Sequence, residues 1–358
     1  MSGILVVLVM LCSLTHLVPR VVNSEPQVPC YFIFGDSLAD PGNNNFLNTQ
    51  ARANYPPYGV DFFKGATGRF TNGRTIVDFI ASYLGFPEFV SPYMVASGPE
   101  ILKGVNYASG AAGILPETGK TQGDRLSFQQ QVFLHKLTVS RIARLLKGRS
   151  AALSYLNRCI YTVGLGSNDY VNNYFSFDAY TTSQEYTTEA FAEYLAQEFL
   201  RQLNELYKYG ARKVAVMGVG QVGYTPIEIA RFGADITQLN DAVELLNEQL
   251  KTLVIALNAN LTDAMFTFLN TTGISSDSNV TFADLTRSCC TAFGVTNYTC
   301  LAFDIKICPN REQFIFFDNI HPTEVANEPV AIRYFSALDP TDAYPYDIKQ
   351  LTSLSASS

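Results

Sequence analysis

Six short runs rich in β-branched and aromatic residues punctuate this chain, and the stretches between them are longer and carry apolar residues at helical spacing. The runs are Cys30 to Gly35, Gly104 to Ala108, Cys159 to Leu165, Lys213 to Met217, Met265 to Leu269 and Phe314 to Phe317. Strands this apolar, alternating with helices, fit a parallel sheet covered on both faces. The expected class is therefore α/β, a three-layer α/β/α sandwich around a mostly parallel sheet. Leu239, Val243, Leu246, Leu250 and Leu253 recur at steps of four and three, as do Phe191, Leu195, Phe199, Leu203 and Leu206, so each set forms one helix face for the sheet. Gly210 stands where the second of these helices would be capped.

The ends of the chain bound its fate. Ile4 to Val18 is largely apolar and is followed by the small-residue site Val22-Asn23-Ser24, which reads as a secretory leader over residues 1–24. That apolar run is too short for a bilayer span, and no later segment is long and apolar enough for one. Export from the cell is the expected localisation. Six cysteines remain after the leader, Cys30, Cys159, Cys289, Cys290, Cys300 and Cys308, an even set that suits disulfides in an exported chain. The sequons at Asn260, Asn270, Asn279 and Asn297 fall in one short stretch and read as glycosylation acceptors on an exposed rim. With 32 acidic against 25 basic residues and no basic run, nucleic acid is excluded as a partner. Residues 25–358 read as one domain, with insertions near 51–75 and 270–312; the oligomeric state is not legible.

Only two histidines follow the leader. His135 lies in the stripe Phe128, Val132, His135, Val139, Ile142 and Leu146, the apolar face of a helix, where a packed histidine is expected. His321 follows a strand and precedes Pro322, a residue suited to a first helical turn. Asp318 stands three residues earlier, a spacing that in a helical turn brings a carboxylate to the imidazole Nδ1 and leaves Nε2 as a base. Read alone, the pair is equally a helix-capping Asp beside a surface His.

A base needs a nucleophile, and the first strand runs through Gly35 and Asp36 into Ser37, at the carboxyl edge of the sheet where ligands gather. A serine there is by itself often only a cap. Two further strand ends offer donors for an oxyanion: Gly110, whose N–H has no Cβ to shield it, and Asn168, whose amide can donate. Separately these read as a turn glycine and an Asx-turn residue; their agreement carries the weight. The G-x-S-x-G elbow is absent, as is H-E-x-x-H, so neither that hydrolase class nor a zinc site is expected, and no metal or other cofactor is called for. Gly218 to Gly223 fits G-x-G-x-x-G, but it falls late and runs into Tyr224-Thr225-Pro226 instead of a helix, so a dinucleotide site is not expected.

Four blocks, FGDSLADPGNNN (34–45), NYASGAAGI (106–114), GSND (166–169) and DNIHPTE (318–324), together resemble the SGNH hydrolases and in particular the plant GDSL esterase/lipases. YPPYGVDF (55–62), TGRFTNGRT (67–75) and the spacing of the last four cysteines are similar to that family too. The resemblance implies a flavodoxin-like SGNH hydrolase fold and a secreted serine esterase or lipase acting on a small-molecule or lipid ester. It makes Ser37 the nucleophile, Asp318 and His321 its triad partners, and Ser37, Gly110 and Asn168 the oxyanion hole. Ala111 and Phe317 depart from the family's usual glycine and tryptophan, which bears on pocket shape. An acyltransferase using the same triad, or a catalytically silent glycoprotein that binds esters or glycans, are the alternatives.

Cys30 and Cys159 begin the strands that deliver Ser37 and Asn168, seven and nine residues upstream. If both ends meet at one site, the two cysteines lie at similar depth on neighbouring strands, about 4.8 Å apart and within disulfide reach. A Cys30–Cys159 bridge is expected, with the other four cysteines paired among themselves; two buried free thiols are the alternative.

Overall fold

The computed structural model describes residues 25–276, 284–290, 298–302 and 307–354. Its central sheet has five strands in the order β1 (Tyr31–Gly35), β2 (Ile160–Gly164), β3 (Lys213–Met217), β4 (Met265–Leu269) and β7 (Ala343–Tyr344). The first four are parallel in register, Tyr31 opposite Ile160, Ile160 opposite Lys213 and Lys213 opposite Met265; β7 is antiparallel.

Alternation along the strands builds two cores. Phe32, Phe34, Tyr161, Val163, Val214, Val216, Phe266 and Phe268 face the helices Phe128–Leu145, Thr188–Lys208 and Ile236–Asn260. Tyr31, Ile33, Ile160, Ala215 and Leu269 face the helices Ile76–Tyr83, Glu324–Phe335 and Ile348–Ser353. Neighbouring strand residues thus point to opposite layers, which gives the α/β/α sandwich. The Thr188–Lys208 helix buries Phe191, Leu195, Phe199, Leu203 and Leu206, each fully buried side chain contributing on the order of 1.5–3 kcal/mol. Gly210 follows it with φ +101°, the left-handed conformation that a glycine adopts without strain.

Two expected strands differ from expectation. Gly104 to Ala108 runs parallel to β1 and bonds it through Ile33 N–H to Val105 O (3.1 Å) and Tyr107 N–H to Ile33 O (2.8 Å), yet it is not a regular strand. On its outer side Asn106 exchanges bonds with Ser91 and Tyr93, and the segment enters through Gly104 at φ +117°, so the ladder is broken into single bridges. Counted as the second segment, it gives the flavodoxin-like order 2-1-3-4-5. Phe314–Phe316 (β6) does not join the central sheet; it pairs with β5 (Asp284–Ser288) in a separate two-stranded sheet. Residues 51–75 contain turns and no helix or strand.

Cys30 and Cys159 flank the first register pair and are bridged, Cα to Cα 4.8 Å, at the amino ends of β1 and β2. Cys289–Cys308 and Cys290–Cys300 are the other two bridges. Asn260 is exposed at the end of a helix, whereas the Asn270 amide nitrogen donates to Thr341 O at 3.1 Å. Asn279 and Asn297 lie outside the described residues.

His135 is fully buried, its ring 4.9 Å from Phe32 and its Nδ1 3.2 Å from the Tyr107 hydroxyl. Burial lowers its pKa to about 3, so the folded state holds it neutral. Its contribution to stability is full above about pH 6.5 and is lost as pH falls from there toward 3, amounting to roughly 3 kcal/mol at pH 4. His135→Phe is therefore expected to shift the change in Tm from pH 7 to pH 4 toward higher stability than the parent protein's own change. Asp36, Asp40 and Asp169, raised to about 6 by burial, act in the opposite sense, but equally in both proteins. Equal slopes in thermal denaturation would show that His135 titrates normally in the fold.

Candidate active site

Ser37 stands two residues beyond β1, half-exposed, between the buried Asp36 and the exposed Leu38. The bend that puts it there is held from both sides. Gly35 donates to Gln131 Oε1 (3.0 Å) and accepts from Gln131 Nε2 (2.8 Å), and its carbonyl also accepts from Ser109 N–H (3.2 Å). A Cβ on Gly35 would come within 3.0 Å of the Ala39 Cβ and 3.3 Å of Gly164 O, so the turn needs glycine for close approach.

His321 Nε2 lies 2.8 Å from Ser37 Oγ, and its Nδ1 lies 2.7 Å from Asp318 Oδ2. The imidazole is buried and Asp318 wholly so. With Nδ1–H donating to the carboxylate, Nε2 is the acceptor for the serine hydroxyl. The pair is not on a helix, as its spacing suggested; the helix begins at Glu324, with Thr323 as its cap. Residues 318–321 instead form an Asx turn, in which Asp318 Oδ1 accepts the N–H groups of Ile320 (3.0 Å) and His321 (2.7 Å). Asp318 Oδ2 also accepts from the Tyr58 hydroxyl at 2.5 Å. Phe70 packs on the imidazole, ring centroids 4.9 Å apart.

Asn168 sits in the single turn Ser167–Asp169 after β2. Its Nδ2 donates to Ala112 O (2.9 Å) and its Oδ1 accepts from Asn172 Nδ2 (2.6 Å), which leaves one amide hydrogen for another acceptor. Asp169 beside it accepts from Ile114 N–H (2.7 Å), Leu115 N–H (3.0 Å) and Thr118 (2.7 Å), so the 110–118 loop is tied to the end of β2.

Gly110 belongs to that loop, and a Cβ on it would come within 2.8 Å of the Phe70 ring that packs on His321. Its N–H donates to Asp40 Oδ2 at 3.0 Å, so the third donor expected from the sequence already has a buried carboxylate partner. Asp40 gathers the N–H groups of Gly42 and Asn43 (2.7 Å each) and of Asn44 (3.4 Å) as well. Burial outweighs these four donors and pushes its carboxyl up to about 6.

Sequence reasoning missed Gln131, Asp40 and Tyr58. Asp40 carried a signal, since D-P-G-N is turn chemistry three residues after Ser37. Tyr58 lay inside the YPPYGVDF block, with nothing to link it to Asp318 260 residues away, and Gln131, 96 residues from the Gly35 backbone, carried no signal. The Gly218–Gly223 loop has two of its N–H groups held by side chains, Val219 by Asn247 (2.8 Å) and Gly223 by Asn240 (2.9 Å).

Residues 31–333 match the family profile described as GDSL-like Lipase/Acylhydrolase. The chain is similar to GDSL esterase/lipase At5g45670 of Arabidopsis thaliana, 46% identical over 94% of this chain and 95% of the relative. It is equally similar to GDSL esterase/lipase At1g29670 of the same plant, 46% identical over 98% of both. By the extent of the family match and the identity to these relatives, the chain belongs to the GDSL lipase/acylhydrolase family and is a carboxylic ester hydrolase.

Proposed function

We propose that the chain hydrolyses its ester through an acyl-enzyme on Ser37, with His321 as the general base and acid and Asp318 as its orienting carboxylate. The observation that carries this reading is the continuous hydrogen-bonded chain from Asp318 through His321 to a half-exposed Ser37. His321 Nε2 takes the Ser37 Oγ proton as Oγ attacks the ester carbonyl carbon. The tetrahedral adduct collapses by breaking the bond to the alcohol oxygen, which leaves with the proton from His321. Water, deprotonated by the same nitrogen, then attacks the acyl carbon and releases the carboxylic acid and Ser37.

The Ser37 N–H and the remaining Asn168 amide hydrogen stabilise the oxyanion. Gly110 joins them only when its N–H leaves Asp40. We read residues 1–24 as a secretory leader and 25–358 as a single hydrolase domain, and three disulfides favour an oxidising, extracellular destination. The test is labelling of purified protein with a fluorophosphonate followed by peptide mapping. A single adduct on the peptide carrying Ser37 is expected; labelling elsewhere, or none with folded protein, removes Ser37 as the nucleophile.

A further inference from the structure

We infer that Tyr58 is a positioning residue for the triad carboxylate, which makes a hydroxyl from the 51–75 insertion a fourth link in the chain that ends at Ser37. The inference rests on the triad reading above and deepens it.

Elementary counting fixes the direction of the bonds around Tyr58. Its oxygen lies 3.1 Å from the Cys300 nitrogen and 2.5 Å from Asp318 Oδ2. A backbone N–H can only donate, so Cys300 takes a lone pair of the phenol, and the single phenolic hydrogen goes to the carboxylate. Tyr58 is almost wholly buried, and burial together with the neighbouring Asp318 raises its pKa well above the ordinary value of 10, so it keeps that hydrogen. The order from donor to acceptor is then Cys300 N–H, Tyr58 O–H, Asp318, with His321 and Ser37 beyond.

The ring is fixed on several sides. Its centroid is 5.4 Å from that of Tyr55, 6.1 Å from Phe70 and 5.6 Å from Phe317, the residue before Asp318. The Tyr55 hydroxyl donates to Cys300 O at 2.9 Å, so the two tyrosines hold both polar groups of one backbone residue. Cys300 is bridged to Cys290, whose N–H donates to Phe317 O at 3.0 Å. The donor to Tyr58 and the acceptor from it are therefore tied to the same turn. A hydrogen bond to a buried charge is among the stronger kinds, and removing it leaves the carboxylate one donor short where water cannot replace it.

Tyr58→Phe keeps the ring and deletes only the hydroxyl. On p-nitrophenyl butyrate it is expected to lower kcat by about tenfold or more with KM nearly unchanged. Tyr55→Phe loosens the same segment without touching Asp318, and is expected to leave kcat within about twofold. In an Asp318→Asn background, where the phenol faces no charge, Tyr58→Phe should cost little further. Equal losses from Tyr55→Phe and Tyr58→Phe, or the same Tyr58→Phe loss in both backgrounds, would overturn the positioning role while the triad stands. Near-parental activity of Asp318→Asn by itself would overturn the triad reading, and this inference with it.

Discussion

Ser37→Ala is expected to lower kcat by roughly 10³-fold or more on any ester the enzyme accepts, and His321→Ala to do the same. The two groups act as one unit: without Nε2 the hydroxyl keeps its proton, and without Oγ there is nothing for the base to activate. The double variant should therefore be scarcely worse than either single one. Ser37 is half-exposed and its Oγ bonds His321, so the serine variant should also retain its Tm. Measured turnover is to be compared with that of a mock preparation purified in parallel from the same host without the protein, which corrects for contaminating esterase. A Ser37→Ala enzyme with near-parental kcat removes the assignment.

Asn168→Ala is expected to lower kcat by about 10²-fold or more with a much smaller change in KM, because an oxyanion donor acts on charge that develops in the transition state. The side chain also bonds Ala112 O and Asn172, so part of any effect could come from loosening the 110–118 loop. Asn172→Ala separates the two. It removes the partner of the Asn168 carbonyl while leaving the donor, and should keep kcat within a few-fold. A change confined to KM in Asn168→Ala would make the residue a substrate contact.

The layers and most strands were legible because the apolar periods of strand and helix differ, and Leu195 or Phe266 could hardly face water in either. The ends of β1 and β2 were legible for the same reason, and with them the placement of Ser37 and Asn168 just beyond those strands. The expected failures lie where partners across the chain decide the geometry. Gly104 to Ala108 has the composition of a strand, but Ser91 and Tyr93 occupy its outer edge. Phe314–Phe316 is drawn to β5, a strand that no periodicity marks. The Asp318 to His321 spacing pointed to a helical turn, whereas backbone bonds to Asp318 Oδ1 close an Asx turn that serves the imidazole equally well. Gly110 offered a bare N–H in the sequence, and only the folded loop shows Asp40 holding it.

The Cys30–Cys159 bridge acts as a datum for the catalytic end of the sheet. Both strands are counted from it, and Ser37 and Asn168 stand seven and nine residues along the chain from their cysteines. Parallel strands can in principle slip past one another by one residue, about 3.3 Å, and misplacements near 1 Å already cost rate. A covalent tie at the amino ends forbids that slip without occupying any space near the substrate. The alignment of Ser37 with Asn168 is thus set at the opposite end of the sheet from both residues, which keeps the tie clear of the loops at its carboxyl edge.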